Sequence, residues 1–172
     1  MKRILSIVLT LALLLTALPL ALGVSAAETT VVFTFGKDGT AAKENSTAKT
    51  TYSETATGTD GKTYTLNLTN ADKMYPDSYD ASKYGIIKLG SSSAAGKFKL
   101  TVPDEVTKVI FSVAGRQTKV GGIKINGAST VINNTSNSGT YKDITVDTTS
   151  TKTINVESYK PSNGDIRLYL NT

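Results

Sequence analysis

The residues of this chain best suited to hold a ligand are concentrated in one polar segment, residues 71–84. This segment combines three tyrosines with two closely spaced acids: Tyr75, Tyr79, Tyr84, Asp77 and Asp80. Sugar rings expose C–H faces that pack on aromatic rings, and carboxylates accept hydrogen bonds from sugar hydroxyls. The segment therefore predicts a sugar-binding platform on an exposed loop. The alternative is that the tyrosines fill the edge of the fold and the acids only keep the loop soluble.

A second candidate contact is Arg116, in the run Gly115-Arg116-Gln117-Thr118-Lys119. A planar guanidinium can form paired hydrogen bonds with the carboxylate of an acidic sugar. Runs of this kind are also typical of solvated loops, and the sequence leaves both interpretations open.

Oxygen ligands for a structural calcium ion are available in four separated aspartates: Asp38, Asp77, Asp80 and Asp165. Their spacing does not match an EF-hand, and Asp-Gly pairs such as Asp38-Gly39 are typical of turns. Because the chain has no His and no Cys, zinc and copper sites of the usual ligand types are excluded. We predict that the protein needs no cofactor and no metal.

The composition also argues against catalysis. Without His or Cys there is no Ser-His-Asp triad and no cysteine nucleophile. Glycoside hydrolysis needs two carboxyl groups roughly 5–10 Å apart. The one adjacent pair of acids, Asp104-Glu105, follows Pro103 in a predicted turn. We expect a protein that is not an enzyme.

The first 26 residues have the pattern of a secretory signal peptide. A positive start, Met1-Lys2-Arg3, precedes an apolar run over residues 4–22, and Val24-Ser25-Ala26 supplies small residues for cleavage. The alternative is a membrane anchor, since about 17 apolar residues are enough for a span. Cleavage leaves residues 27–172 as one domain, which we expect to be secreted or held at the cell surface without touching the membrane.

Removal of residues 1–26 also changes the charge balance. The two cations Lys2 and Arg3 leave with the signal, so the formal net charge of +5 falls to +3. A charge of this size over a whole domain describes a solvated surface, and we expect no nucleic-acid partner.

The elements that position these candidates follow from apolar alternation with a period of two, which is typical of half-buried β-strands. Turn signals such as Asp60-Gly61 and Asn126-Gly127 separate the alternating runs. The alternating apolar positions are Val31, Phe33 and Phe35; Tyr64, Leu66 and Leu68; Ile87 and Leu89; Phe98, Leu100 and Val102; Val109, Phe111 and Val113; Ile123 and Ile125; Ile144 and Val146; Ile154 and Val156; and Ile166, Leu168 and Leu170.

Nine or ten short strands of this kind predict an all-β fold, a two-sheet antiparallel β-sandwich. We favour a jelly roll over an immunoglobulin topology, although alternation alone does not fix strand order. Two segments break the pattern. Residues 40–59 are predicted to form a long loop or an exposed edge hairpin, and residues 71–84 a loop.

Several of these runs carry a resemblance to a known type of module. They are Ile86-Ile87-Lys88-Leu89-Gly90-Ser91-Ser92-Ser93, Gly96-Lys97-Phe98-Lys99-Leu100-Thr101-Val102-Pro103, Val106-Thr107-Lys108-Val109-Ile110-Phe111, Ile123-Lys124-Ile125-Asn126-Gly127, Tyr141-Lys142-Asp143-Ile144-Thr145-Val146 and Thr151-Lys152-Thr153-Ile154-Asn155-Val156. Together they resemble a β-sandwich accessory module of secreted and surface-displayed proteins of gut Firmicutes, where it is appended to nucleases, glycosidases or adhesin-like chains. The resemblance spans about residues 30–172 and implies a non-catalytic accessory domain.

Two functions of different classes remain open. The first is a monomeric carbohydrate-binding module that recognises a polysaccharide or a surface glycan. The second is a structural or adhesive domain that binds a protein or acts as a spacer. They differ in the expected placement of the tyrosines in residues 75–84, which should line an exposed groove in the first case and pack inward in the second.

Overall fold

Eleven β-strands and one short 3-10 turn form the regular structure of the residues described in the computed structural model, which are 28–33, 35, 46–79 and 84–171. The strands are β1 Tyr52–Thr57, β2 Thr63–Asp72, β3 Met74–Tyr79, β4 Tyr84–Leu89, β5 Lys97–Thr101, β6 Lys108–Gly115, β7 Gly121–Ile125, β8 Ala128–Ile132, β9 Lys142–Asp147, β10 Thr153–Tyr159 and β11 Leu168–Asn171. The 3-10 turn spans Ser136–Ser138 and precedes β9.

The strands form two sheets. A six-stranded sheet has the order β1-β2-β5-β10-β7-β8, and a five-stranded sheet has the order β3-β4-β11-β6-β9. Every neighbouring pair of strands is antiparallel. The predicted two-sheet antiparallel β-sandwich is therefore confirmed. This strand order does not establish the preferred jelly-roll topology, which stays a prediction.

Alternation of side chains explains why these segments become half-buried strands. In β10, Ile154 and Val156 are buried while Asn155 and Glu157 are exposed. In β5, Phe98 and Leu100 are buried and Lys97 is exposed. These two strands thus turn their apolar rows towards the other sheet and their polar rows towards solvent. In β4 and β11 of the five-stranded sheet, by contrast, neighbouring residues such as Ile86 and Ile87, or Leu168 and Tyr169, are all buried. Burial of one such large apolar side chain contributes roughly 1.5–3 kcal/mol to folding.

One continuous apolar core fills the space between the sheets. Its buried members come from both layers, for example Leu100 and Ile154 from the six-stranded sheet and Leu89 and Leu168 from the five-stranded one. The rings of Phe98 in β5 and Phe111 in β6 meet across the sandwich with centroids 6.4 Å apart and planes tilted by 55°. The core therefore packs the two sheets against each other.

The described residues of the segment 71–84, which are 71–79 and 84, do not form the loop that the sequence predicted. Ala71 and Asp72 end β2, residues 74–79 form β3, and β4 begins at Tyr84. β3 lies at the edge of the five-stranded sheet, and its pairing with β4 is irregular between Tyr75 and Ser78. Pro76 lies in that irregular stretch, where an edge strand tolerates a missing backbone N–H. The interrupted alternation in the sequence is therefore explained by a bulged edge strand.

Three other elements can be compared with the sequence prediction. The edge hairpin expected within residues 40–59 is confirmed in part, because β1 is the outer strand next to β2. The first strand expected at Val31, Phe33 and Phe35 is wrong, since the structure assigns no strand to these residues. The strand β8, Ala128–Ile132, was missed because it carries only one buried apolar residue, Ile132.

The predicted signal peptide, residues 1–26, lies outside the described residues, as does Asp38. Within the described ranges, the structure contains no helix that is long and apolar enough to cross a membrane.

Candidate functional site

The outer face of the six-stranded sheet carries a groove with a volume of about 280 Å³. The groove crosses strands β2, β5, β10 and β7, which are neighbours in the sheet. The polar side chains among its lining residues are Asn70, Lys97, Lys99, Lys124, Asn155 and Glu157.

The alternation described above places these polar groups on one face. Lys97 and Lys99 flank the buried Phe98 in β5, and Asn155 and Glu157 flank the buried Val156 in β10. Strand register then brings residues from distant parts of the chain side by side. Lys97 lies opposite Glu157, and Glu157 lies opposite Lys124 on the next strand.

The resulting charge pattern is a row of alternating sign, with two acids and two lysines, and a further lysine in the neighbouring row. Asp72 of β2 lies opposite Lys97, so the row reads Asp72, Lys97, Glu157 and Lys124 across four strands. In the neighbouring row, Lys99 lies opposite Thr69 on one side and Asn155 on the other.

The groove lysines do not form close ion pairs with the described acids. Among the described residues, no ion pair within 4.0 Å joins Lys97, Lys99 or Lys124 to an acid. Their ammonium groups are therefore available to a ligand.

An aromatic ring lies on the same face, in the row next to Glu157 and Lys124. Tyr159 of β10 is opposite Gly122 of β7. A Cβ atom at position 122 would lie only 2.5–2.7 Å from three atoms of the Tyr159 ring, so the ring occupies the space above this glycine. The Lys124 Nζ atom is 5.8 Å from the ring centroid, within the range of a cation–π contact.

The surroundings of this ring are open to solvent. Tyr159 is half-buried, and Val131 of β8, opposite Gly122, is 43% exposed. A half-buried ring that rests on a glycine, with an exposed apolar neighbour, offers a small flat apolar surface beside the polar groove.

A tight turn closes the groove at the end of β7. Asn126 and Gly127 both have positive φ, 48° and 87°, as a two-residue hairpin turn of the Asn-Gly type requires. The Asn126 side chain accepts a hydrogen bond from the Asn155 backbone N–H at 2.8 Å, and the Asn126 N–H donates to the Asn155 carbonyl at 2.9 Å. These bonds hold the turn against β10 beside the groove.

Comparison with known proteins adds no family. No family model, curated protein or solved structure matches this chain. The resemblance to accessory β-sandwich modules therefore stays a prediction, and the function is argued below from the geometry of the chain itself.

The sequence candidate Tyr75 is placed against the fold and not in the groove. Its side chain is 9% exposed, and the Lys88 Nζ atom lies 4.4 Å from the centre of its ring. The Ser78 hydroxyl donates a hydrogen bond of 2.8 Å to the Tyr75 carbonyl. With Lys88 over its ring and so little exposed area, Tyr75 offers no open face for stacking.

The other candidates do not gather around the groove. Tyr79, Tyr84 and Asp77 belong to β3 and β4, in the other sheet, and Asp80 lies outside the described residues. Their assignment as ligand contacts stays a prediction.

Arg116 also lies away from the residues that line the groove. It follows β6, in the loop that leads to β7, and its Nη1 atom donates a hydrogen bond of 2.9 Å to the Gln117 side chain. Its proposed contact with an acidic sugar stays a prediction.

Asp165, which the sequence offered as an oxygen ligand, forms a two-pronged ion pair instead. Arg167 Nη2 donates to Oδ2 at 2.6 Å and Nε to Oδ1 at 2.9 Å, and the Arg167 backbone N–H also donates to Oδ1 at 3.0 Å. Within the described ranges, no three His, Cys, Asp or Glu residues form a group suited to a metal ion.

These contacts set the titration of Asp165. Burial acts to raise the pKa of the carboxyl group, but the hydrogen bonds from Arg167 and the positive charges of Arg167 and Arg116 outweigh it. The pKa of Asp165 therefore lies below its ordinary value of 3.8.

Replacing Asp165 by asparagine is expected to lower the free energy of unfolding by about 1 kcal/mol at pH 7, because a partly exposed two-pronged ion pair is lost. A depressed native pKa stabilises the fold above the unfolded value, and this contribution disappears as pH falls through the native value. Urea melts at several pH values should show the difference at pH 7 and its progressive loss as the pH falls below the ordinary carboxyl value of 3.8. The control is Asp104→Asn in an exposed turn; an equal effect there, or a difference independent of pH, contradicts the assignment.

The groove residues were missed by the sequence analysis although several of them belong to, or directly flank, predicted strands. Lys97, Lys99 and Glu157 occupy the polar positions of clear alternating runs, which marks them as outward-facing. What the sequence does not show is that β5, β10 and β7 are neighbours, since residues 97, 124 and 157 are far apart in the chain.

Proposed function

We propose that this protein is an exported, non-catalytic carbohydrate-binding module whose site is the groove on the outer face of the six-stranded sheet together with the Tyr159 ring, which lies beside the lining residues of the groove. The observation that carries the proposal is the Tyr159 ring, which lies over Gly122 beside a row of polar side chains. A flat ring next to hydrogen-bonding groups matches the two surfaces of a sugar, its C–H face and its hydroxyls.

Each group has a distinct part in this model of binding. The Tyr159 ring packs against a sugar face. The ammonium groups of Lys97 and Lys124 donate hydrogen bonds to ring or hydroxyl oxygens, and the Glu157 carboxylate between them accepts hydrogen bonds from hydroxyls. Asn155 can both donate and accept.

The size of the groove supports a ligand bound along the surface. Its volume of about 280 Å³ is just below the range of about 300–1,000 Å³ typical of pockets that enclose a small molecule. A short stretch of a longer glycan chain suits such an open groove better than an enclosed ligand does.

The chemistry of the groove supports binding without hydrolysis. Glu157 is the one acid among its described lining residues. Hydrolysis of a glycosidic bond generally uses a pair of carboxyl groups on either side of that bond. The signal-like residues 1–26 support a place outside the cell, where polysaccharides and surface glycans are available.

The test is a titration of the purified protein and two variants against a panel of soluble polysaccharides. Tyr159→Ala removes the ring, and Gly122→Ala keeps the ring but places a Cβ atom in the space it occupies. Both should weaken binding by roughly two- to tenfold, because a packed aromatic ring contributes about 0.5–1.5 kcal/mol.

The matched control is Tyr64→Ala, which removes a half-buried tyrosine of β2 that hydrogen-bonds to Asp60, away from the groove. It should bind as the wild type does, and thermal melts confirm that all variants are folded. Wild-type protein that binds no glycan overturns the proposal and favours an adhesive or structural role. If binding survives in both Tyr159→Ala and Gly122→Ala, the site lies elsewhere.

A further inference from the structure

We propose that the ligand of this groove is an acidic glycan, a polysaccharide that carries carboxylate or sulfate groups. The inference rests on the proposed function and adds the chemical class of the ligand. It comes from the arrangement of Lys97, Lys99 and Lys124, three ammonium groups on one face of the sheet around a single lining acid, Glu157.

Strand geometry sets the spacing of the three cations. Lys97 and Lys99 are two residues apart in β5, so their Cα atoms are separated by about 6.8 Å. Lys124 lies two strands away from Lys97, across β10, at about 9.5 Å. The lysines therefore form a triangle of cations that can meet separate anionic groups along a chain.

The balance of charge is favourable for an anion at one corner in particular. Lys99 faces only uncharged neighbours across the strands, Thr69 and Asn155. Lys97, in contrast, lies between Asp72 and Glu157, and Lys124 lies opposite Glu157. An anionic group of the ligand is thus best placed near Lys99, while the Glu157 row suits hydroxyl groups.

The Glu157 carboxylate also favours a glycan over a nucleic acid as the ligand of the groove. A nucleic-acid strand carries one phosphate on every unit, which would bring negative charge close to Glu157. An acidic polysaccharide carries several hydroxyls for each anionic group, so a carboxylate can accept hydrogen bonds from some units while lysines pair with the anions of others. The mixed row of charges therefore favours the glycan.

The experiment compares four probes by isothermal titration: polygalacturonate, dextran sulfate, neutral dextran and a poly(dT) oligonucleotide. The variant is the double substitution Lys97→Gln, Lys99→Gln. Its matched control is Lys62→Gln, Lys119→Gln, which removes the same charge from exposed positions outside the groove.

We expect the wild type to bind polygalacturonate or dextran sulfate. The tighter-binding polymer shows whether the groove prefers carboxylate or sulfate groups. The groove variant should bind the preferred acid about tenfold more weakly, and the control variant nearly as well as the wild type. Raising the salt concentration should weaken wild-type binding, since the contacts are exposed and ionic.

The outcomes separate this inference from the proposed function. Equal or tighter binding of neutral dextran, with no loss in the lysine variant but loss in Tyr159→Ala, overturns the acidic ligand and leaves carbohydrate binding intact. If poly(dT) binds more tightly than both polygalacturonate and dextran sulfate, the acidic glycan is overturned in favour of a nucleic acid. Failure of all four probes to bind overturns the acidic ligand, and the broader polysaccharide panel then decides whether the proposed function survives.

Discussion

Replacing Gly96 by alanine is expected to destabilise the fold by about 3 kcal/mol or more, because backbone atoms surround this position on several sides. An added Cβ atom would overlap the Gly90 nitrogen and would lie 2.7 Å from the Lys73 carbonyl oxygen and 2.9 Å from the Leu89 carbonyl carbon. None of these is the movable end of a side chain, so relief requires the strand ends themselves to shift. The midpoint of thermal unfolding should fall by about 6–12 °C.

The backbone at Gly96 is also fixed by two hydrogen bonds with the buried Ser158. The Gly96 N–H donates to the Ser158 hydroxyl at 2.9 Å, and the Ser158 N–H donates to the Gly96 carbonyl at 2.8 Å. A matched control is Gly61→Ala, where φ is +80° and no atom lies within 4 Å of the new methyl group. That change should cost only about 1–2 kcal/mol, for backbone strain alone. Equal losses at the two positions would contradict the role of close packing at Gly96.

Phe98→Ala is the second large effect we expect, a loss of about 3–5 kcal/mol in the free energy of unfolding. The Phe98 side chain is 3% exposed and reaches Phe111 of the opposite sheet. Its removal leaves a cavity between the sheets and ends this aromatic contact. Denaturant melts measure the loss, with Phe98→Leu as the control that keeps most of the volume and should cost about 1.5 kcal/mol or less.

A double-mutant cycle isolates the contact between the two rings. Phe98→Leu and Phe111→Leu are measured singly and together, and we expect a coupling energy of about 0.5–1.5 kcal/mol. Additive losses would show that the rings fill space without interacting. Because Phe98 lies between Lys97 and Lys99, Phe98→Leu should also be tested for glycan binding, which it should leave nearly unchanged.

The strands were largely predictable because the residues that face the core between the sheets recur with a period of two. Runs such as Phe98, Leu100 and Val102 show the period of two without any knowledge of the partner strand. β3 escaped prediction because Pro76 and a bulge interrupt its alternation. β8 was not predicted because only Ile132 is buried, while its other large apolar residue, Val131, is exposed.

The candidate site was less predictable than the strands for a physical reason. A cluster of Tyr and Asp close together in sequence is visible by inspection, but Tyr75 is packed beneath Lys88. The groove instead depends on the pairing of β5 with β10 and of β10 with β7. Alternation states which face a lysine occupies, whereas strand order decides which lysines become neighbours. Only the three-dimensional structure supplies that second step.

The position of β11 links the completion of the fold to the order in which the chain is made. This last described strand lies between β4 and β6, and it pairs with both. During synthesis from the N-terminus, β4 with β3 and β6 with β9 can pair locally, but each set keeps one edge of β4 or β6 unpaired until residues 168–171 arrive. A ribosome-bound chain in which residues 168–171 are not yet available therefore exposes two incomplete sheet edges, and β11 closes both at once.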